Sequence, residues 1–368
     1  MESGRSTGLQ MPRQYWTVRL GGADNTEDFL RLWRDVYGYR DPVRHRLEWE
    51  WRYLSNADFP TDLVMAEYEG RPVAIRPMTL FDFQWKTRRL KGAMHWGLLT
   101  HPEHRRRGIF RSLVAYSNEL VARRGAQFSI TMPNDRSLKG FFRFGDWISP
   151  GLIPLYLKVV DGPAVLRPKI GRLPAYMISW PPQLFFRRRC GPRCLGRFSC
   201  RSAVIMPEEF DEVFDEFAHD CGQLLIRRTA AYWNWRYGAK PVAEYRTLIL
   251  RQARRMVGAV VTSVGRRIGL DVGMVIDLVA RGGVRTLRQL LREAEAELQS
   301  RGLGLVACQA TSSMLQRALQ EEGYRRPNPK WLPKKFNFLY RPTEVPGLPR
   351  QPSQLTDWHL TFGDSDNV

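Results

Sequence analysis

The sequence predicts an α/β protein built of two tandem domains, the second a degenerate copy of the first. Strand-like and helix-like apolar spacings alternate along the chain. A strand-like run at 92–100 leads through a basic, glycine-containing turn into a helical run at 109–124. Trp49-x-Trp51-Arg52-Tyr53 then returns as Trp233-x-Trp235-Arg236-Tyr237, a shift of 184 residues (233 − 49), which indicates an internal repeat.

The elements follow in order. Residues 15–20 read as a strand, and 25–37 as a helix with Phe29, Leu32, Trp33 and Val36 on one face. A second helix at 46–54 carries Trp49, Trp51 and Tyr53. Strands at 63–69 and 72–80 meet at the hairpin-like turn Glu69-Gly70-Arg71. Alternation along 92–100 predicts Ala93, His95, Gly97 and Leu99 on one face and Met94, Trp96 and Leu98 on the other. After the helix at 109–124 comes a short strand at 127–132. A strand-like stretch at 147–160, interrupted at Pro150-Gly151, is expected to complete the first sheet.

The turn between 100 and 109 carries the chemistry. The first N–H groups of a helix lack intrahelical partners and sit at the positive end of its dipole, so a strand-to-helix junction suits a phosphate. Gly108 permits close backbone approach, and Arg105, Arg106 and Arg107 add charge. An Arg-rich surface loop is the plain alternative. Downstream, Asn134 is followed by Ser137, Phe141 and Gly145 at offsets of three, seven and eleven.

This succession resembles the GNAT N-acetyltransferase superfamily, with its strand, Arg/Gln-x-x-Gly-x-Gly/Ala turn, helix, strand and Asn-x-x-Ala-x-x-x-Tyr-x-x-x-Gly-Phe segment. Arg105-x-x-Gly108 fits. Phe110, Phe141 and Asp146 replace the second small residue, the tyrosine and the terminal phenylalanine. The resemblance implies a mixed sheet and acetyl-CoA or another acyl-CoA as co-substrate. It also implies that Arg105, Arg106, Arg107, Gly108, Ile109 and Phe110 hold the pyrophosphate, and that Asn134, Ser137 and Phe141 belong to the same site. The splayed strand end at Leu98, Leu99 and Thr100 is implied to offer an N–H to the acyl carbonyl.

Acyl transfer from a thioester to an amine needs a neutral nucleophile and a proton for the leaving thiolate. His95, ten residues before Arg105, is a candidate base because imidazole titrates near neutrality; a buried structural histidine is the competing reading. Glu103 is the other candidate, against a reading as a helix-start carboxylate. Phe141 offers no hydroxyl for the acid, which leaves solvent, Tyr116 or Tyr156. Phe110 and the aromatic stretch at 176–186 suggest a donor more apolar than acetyl.

In the second copy the repeat shift falls to 177 (301 − 124, Arg301-Gly302 against Arg124-Gly125). The missing seven residues correspond to the basic turn, and Ala280 to Val284 is too short to rebuild it. The expected organisation is a disordered tail at 1–13, an acyltransferase domain at 14–160, a Pro/Arg/Cys-rich linker at 161–206, a pseudo-domain at 207–342 and a tail at 343–368. Residues 358–362 alternate and are β-prone, so they are also read as an edge strand that would fix Asp364 and Asp366.

A net charge of +20 and a pI of about 10.2 suit an acidic partner, an acyl carrier protein or an anionic membrane surface, the last also for 176–186 and the three arginines after it. No zinc-finger spacing or long basic helix points to specific nucleic acid. Five cysteines without Cys-x-x-Cys favour reduced thiols over a disulfide framework. Cys190, Cys194 and Cys200 cluster, but no metal is expected. No apolar run reaches membrane-span length and no secretory signal is seen, which reads as cytoplasmic. The expected activity is acyl transfer to a primary amine of a small molecule. Transfer from an acyl carrier protein or aminoacyl-tRNA, and a non-catalytic acyl-CoA-binding scaffold, are the alternatives.

Overall fold

The computed structural model describes residues 15–38, 41–56, 58–165, 198–241, 243–267, 270–332 and 334–365. The first half contains β1 Thr17–Gly21, α1 Thr26–Tyr37, α2 Pro42–Trp49, β2 Thr61–Tyr68, β3 Arg71–Trp85, β4 Arg88–His95, β5 Leu99–Thr100, α3 Ile109–Arg123, β6 Phe128–Thr131, α4 Asp135–Phe144, β7 Ile148–Leu152 and β8 Leu155–Val159. The second contains β9 Phe198–Ala203, α5 Phe210–Cys221, β10 Leu224–Ile226, α6 Ala230–Trp233, β11 Arg246–Gln252, β12 Arg255–Arg267, β13 Leu270–Ala280, α7 Gly283–Ser300, β14 Leu305–Gln309, α8 Ser313–Glu321 and β15 Asn337–Pro342.

Local chemistry accounts for the boundaries. Asp41 caps α2 by accepting from the Arg44 N–H at 3.0 Å, and Pro42 takes the first helical position, where its missing donor costs nothing. The helix therefore starts earlier than the aromatic spacing suggested. It closes in a π-helical turn, Glu50–Leu54. Glu69 and Gly70 both have positive φ, 48° and 76°, the two-residue hairpin geometry that matches strand twist.

The repeat is structural. α1 and α5 start 184 residues apart (210 − 26), and Glu50–Leu54 reappears as the π-turn Asn234–Gly238 at the same shift (234 − 50). One sheet runs β1-β2-β3-β4-β6-β15-β7, with β5 and β10 both on β3; the other runs β9-β11-β12-β13-β14-β8. Both are mixed, because β4 and β6 in one and β13 and β14 in the other pair in parallel.

The two halves exchange strands. β15, from late in the chain, lies between β6 and β7 of the first sheet, while β8 pairs antiparallel with β14 of the second. The stretch 147–160 thus does not complete the first sheet as expected: it divides around Ile153 and Pro154, and its second piece crosses over. Lys158 on β8 is held in the other half by a buried ion pair with Glu295 of α7 at 2.7 Å. One continuous core joins Trp49, Phe81 and Phe128 to Val260, Leu290 and Trp358.

Two further expectations change. Within 161–206, Phe198–Ala203 is not linker but the edge strand on β11, its alternating polar residues facing out. Within 343–368, Trp358, Leu360 and Phe362 are buried, and the segment meets β10 by a single bridge rather than as an edge strand. Residues 1–13, the aromatic stretch 176–186, the arginines after it, Cys190, Cys194 and Asp366 lie outside the described residues. Cys200 sits on β9, and among the described residues no group of three or more His, Cys, Asp and Glu could hold a metal ion. No described helix is long and apolar enough to cross a membrane.

Candidate active site

The site begins where β4 leaves its ladder. Met78 pairs with His95 and Ile75 with Leu99, so only Arg76 and Pro77 on β3 face Trp96, Gly97 and Leu98. Pro77 has no N–H to give; its carbonyl accepts from the Trp96 N–H at 3.1 Å. This bulge reverses the predicted alternation: Leu99 joins Met94 and Trp96 in one cluster, and Leu98 packs with Ala93 in the other.

On the other side, β4 and β6 remain paired only up to His95 and Thr131. Beyond them β6 runs through Met132 and Pro133 to Asn134, whose side chain caps α4 by accepting from the N–H groups of Arg136 and Ser137 at 3.1 and 3.0 Å. The diverging strands open a cleft of about 150 Å³. Trp96, Gly97 and Leu98 form one wall, Asn134, Ser137 and Phe141 the other, and Gln309, Phe336, Asn337 and Asp364 close it from the second half.

Beside the cleft lies the basic turn. His101 leads into a short 3-10 turn, Arg106 takes φ 62°, and Gly108 takes φ 91° as the residue before α3. A side chain at Gly108 would meet Trp16 only at ordinary contact distance, 3.6 Å, so glycine is required there by backbone conformation rather than by space. No side chain caps α3, so the N–H groups of its first turn stay uncapped, and Arg105, Arg106 and Arg107, all exposed, lead directly into it. Arg105 is braced by its Nε donating to the Thr100 carbonyl at 3.2 Å. These residues fit a pyrophosphate: fixed cations surround uncapped donors at a positive helix end.

Neighbouring residues accommodate two of the departures from the expected motif, Phe110 and Asp146. A side chain at Gly140 would stand 2.8 Å from the Phe110 ring, so the missing Cβ on α4 makes room for the oversized residue on α3. Phe110 packs there against Phe141 and Phe144 and does not line the cleft, which removes it as evidence for a more apolar donor. Trp147, one residue after Asp146, sets an aromatic ring edge-on against Phe141 and His95.

His95 lines the cleft and is 3% exposed. Its Nε2 shares a hydrogen bond with Ser129 Oγ at 3.1 Å, and its Nδ1 has no partner. Burial, and then the charges of Arg76 and Arg341, hold the imidazole well below its usual pKa, so the ring is neutral. Glu103 is exposed on the outer side of the turn and is not brought to the cleft. Neither Tyr116 nor Tyr156 lines it; Tyr156 sits in the second sheet.

Sequence reasoning missed Arg76, Gln309 and Tyr37. Arg76 is fully buried with no hydrogen-bond partner, lies over the Phe141 and Trp147 rings at 5.2 and 5.6 Å, and is pulled down to about 9 by burial. An arginine inside the apolar run 73–80 was the available signal. Tyr37 ends α1 and is the one tyrosine among the described lining residues. Nothing in the local sequence marks Gln309.

In the second half the corresponding cleft is filled. β13 and β14 stay paired to Val275 and Cys308, so Val275 occupies the place of His95. Where they part, the C-terminal segment enters: the Leu360 N–H donates to Thr311 Oγ1 at 2.8 Å, and Thr361 Oγ1 donates to Asp277 at 3.1 Å. Arg228 bridges Asp277 at 2.6 Å and Asp364 at 2.7 Å, all fully buried. Arg281, at the shortened turn, pairs with Glu216 of α5 at 3.0 Å, so an acidic helix stands near where a phosphate would approach.

Residues 17–147 match the family model described as an acetyltransferase (GNAT) domain. No curated protein matches the chain. Among solved structures, a GCN5-related N-acetyltransferase from Anabaena variabilis aligns with a TM-score of 0.63 at 12% identity, over 90% of this chain and 73% of that one. A putative acetyltransferase from Pyrococcus horikoshii aligns at 0.53 and 12% identity over 97% of both. N-myristoyltransferase of Saccharomyces cerevisiae, solved with bound myristoyl-CoA, aligns at 0.57 and 11% identity over 92% of this chain and 86% of that one. At such identities the likeness is one of fold.

Proposed function

We propose that this chain, whose residues 17–147 match the acetyltransferase (GNAT) domain model, is an acyl-CoA-dependent N-acyltransferase acting on a primary amine of a small molecule, with its one active site in the first half. The observation that carries the reading is the junction of two features: an uncapped, arginine-flanked start of α3 and the cleft between diverging β4 and β6.

Arg105, Arg106, Arg107 and the Ile109 and Phe110 N–H groups would hold the pyrophosphate of the co-substrate, which supplies the acyl group as an activated thioester. Leu98, in the bulge, lines the cleft, and its backbone N–H would polarise the acyl carbonyl oxygen. Asn134 and Ser137 shape the opposite wall. The neutral His95 accepts the proton that the amine loses when the C–N bond forms and the C–S bond breaks, and the Tyr37 hydroxyl is the cleft's candidate donor to the departing sulfur. Proximity supplies much of the remaining acceleration.

Thiol release from acetyl-CoA and longer acyl-CoAs, measured with and without a panel of primary amines, tests the reading. Amine-dependent release is expected, reduced by roughly 10²-fold in His95→Ala, the range for a lost general base. Failure of CoA to bind would remove the proposal. A fully active His95→Ala would remove the histidine from it.

A further inference from the structure

Three buried polar groups without partners belong to residues that line the same cleft, and they come from three distant parts of the chain. They are His95 Nδ1 on β4, both side-chain amide atoms of Gln309 at the end of β14, and Asp364 Oδ1 in the C-terminal segment. Gln309 is 0% exposed and Asp364 2%. A buried amide left unpaired costs stability at each polar atom, and an apolar side chain of the same shape would avoid that cost. A ligand that completes the hydrogen bonds gives the amide a reason to be there.

Asp364 is fixed with one oxygen occupied. Its Oδ2 accepts from Arg228 at 2.7 Å and from the Thr361 N–H at 2.8 Å, while Oδ1 receives no donor. Arg228 is shared with Asp277, which takes its Nε at 2.6 Å. Arg236 holds the segment from behind, donating to the carbonyls of Gly363 at 3.2 Å and Ser365 at 2.5 Å. The carboxylate is thus locked in place with an acceptor atom spare. A cavity near 150 Å³, which the acyl end of the co-substrate also enters, admits only a small acceptor beside it.

We infer that Gln309 and Asp364 form the acceptor seat: Asp364 Oδ1 receives the ammonium of a small primary amine, and the Gln309 amide pairs with a hydroxyl or similar group on the same molecule. The inference rests on the acyltransferase reading for what happens next, and it names the acceptor class as small hydroxylated primary amines. The second half of the chain, whose own cleft is filled by the C-terminal segment, then supplies the specificity of the first. Burial raises the Asp364 carboxyl and Arg228 opposes that shift, so the salt bridge keeps an acceptor atom available to the ammonium.

The test uses the full chain and two readouts. Thermal shift without CoA reports amine binding directly, and thiol release from acetyl-CoA reports turnover. The probes are glucosamine and 2-aminocyclohexanol, with cyclohexylamine lacking the hydroxyl and glucose lacking the amine. The hydroxylated amines are expected to raise the melting temperature more than either control. Gln309→Met should raise the acceptor KM by roughly tenfold, the worth of one hydrogen bond, leave kcat near parental, and melt higher than the parent because an unpaired buried amide is gone. Asp364→Asn should abolish the preference for amines over glucose. Equal responses to cyclohexylamine and 2-aminocyclohexanol, no response to any probe amine, or an unchanged acceptor profile in Gln309→Met would overturn the inference. Loss of CoA binding with amine shifts intact would instead sink the donor assignment and leave the seat standing.

Discussion

Trp51 and Trp235 stack at 5.5 Å and exchange hydrogen bonds, each indole N–H donating to the other's backbone carbonyl, at 2.9 and 3.2 Å. They are the same position in the two copies, 184 residues apart (235 − 51), so the pseudo-two-fold relation between the halves passes between their rings. Replacing either by Phe should cost about 1–3 kcal/mol, since a carbonyl loses its donor at a partly buried junction. The double variant should cost less than the two singles together, because the second change removes a stack already broken. A double-mutant cycle by denaturant unfolding measures this, and strict additivity would show that the two rings act independently.

Gly108→Asp should reduce CoA affinity by at least roughly 10², since it sets an anion where cations and uncapped N–H groups converge. Gly108→Ala is the control: the positive φ of 91° imposes strain of about 1–2 kcal/mol on either residue, so the difference in CoA binding between the variants isolates charge. Calorimetry decides, and equal affinity in the two would detach the turn from the pyrophosphate.

One equivalent of CoA should saturate the chain. The second cleft is occupied by the C-terminal segment, and Arg281 beside its shortened turn is engaged by Glu216. A titration ending at two equivalents would mean that the segment leaves.

Acidification should destabilise the fold from about pH 6.5 downward. His95 and His359 are both buried and both held well below the ordinary imidazole value, chiefly by burial. Above the unfolded pKa of about 6.5 neither state carries the proton and pH has no effect through them. Below it the unfolded chain binds protons that the folded chain does not, so stability falls by at most about 1.4 kcal/mol per pH unit for each histidine. His359→Gln, which can keep the bond to Ser312 Oγ now made at 3.0 Å, should flatten the decline between pH 6 and 5.

Arg76→Met should stabilise the protein by about 1–3 kcal/mol at neutral pH, because a buried guanidinium without a hydrogen-bond partner is expensive despite its aromatic neighbours. Its folded pKa of about 9 lies below the unfolded value, so the penalty is complete below pH 9 and shrinks above it. The gap between variant and parent should narrow on the alkaline side. The His95 pKa, followed by NMR, should rise in the same variant, since Arg76 depresses it. A His95 titration that does not move would contradict their electrostatic contact.

Much of the first half was legible because its signals are local. The Glu69-Gly70-Arg71 turn, the apolar face of α1 and the basic turn before α3 each announce themselves within a dozen residues. The repeat was legible because Trp51 and Trp235 sit in identical contexts. The bulge at Trp96 to Leu98 was not, for it arises from Pro77 on a neighbouring strand, and so the facing of Leu99 came out reversed. The strand exchange was equally hidden: residues 155–159 read as a strand, but nothing in their spacing says which of two similar sheets they enter. Gln309 and Asp364 reach the cleft only through that exchange and through the docking of the C-terminal segment.

The position of β15 between β6 and β7 has a consequence for synthesis. The chain leaves the ribosome from its N-terminus, so the sheet bearing the basic turn waits for an interior strand that is encoded 185 residues after β7 (337 − 152). Until residues 337–342 emerge, β6 and β7 have no common neighbour, and the wall of the cleft contributed by Phe336 and Asn337 does not exist. The nascent first half is an open-edged sheet that must be kept from pairing with other chains. The cleft is complete only once residues 336–342 and the segment carrying Asp364 have been made.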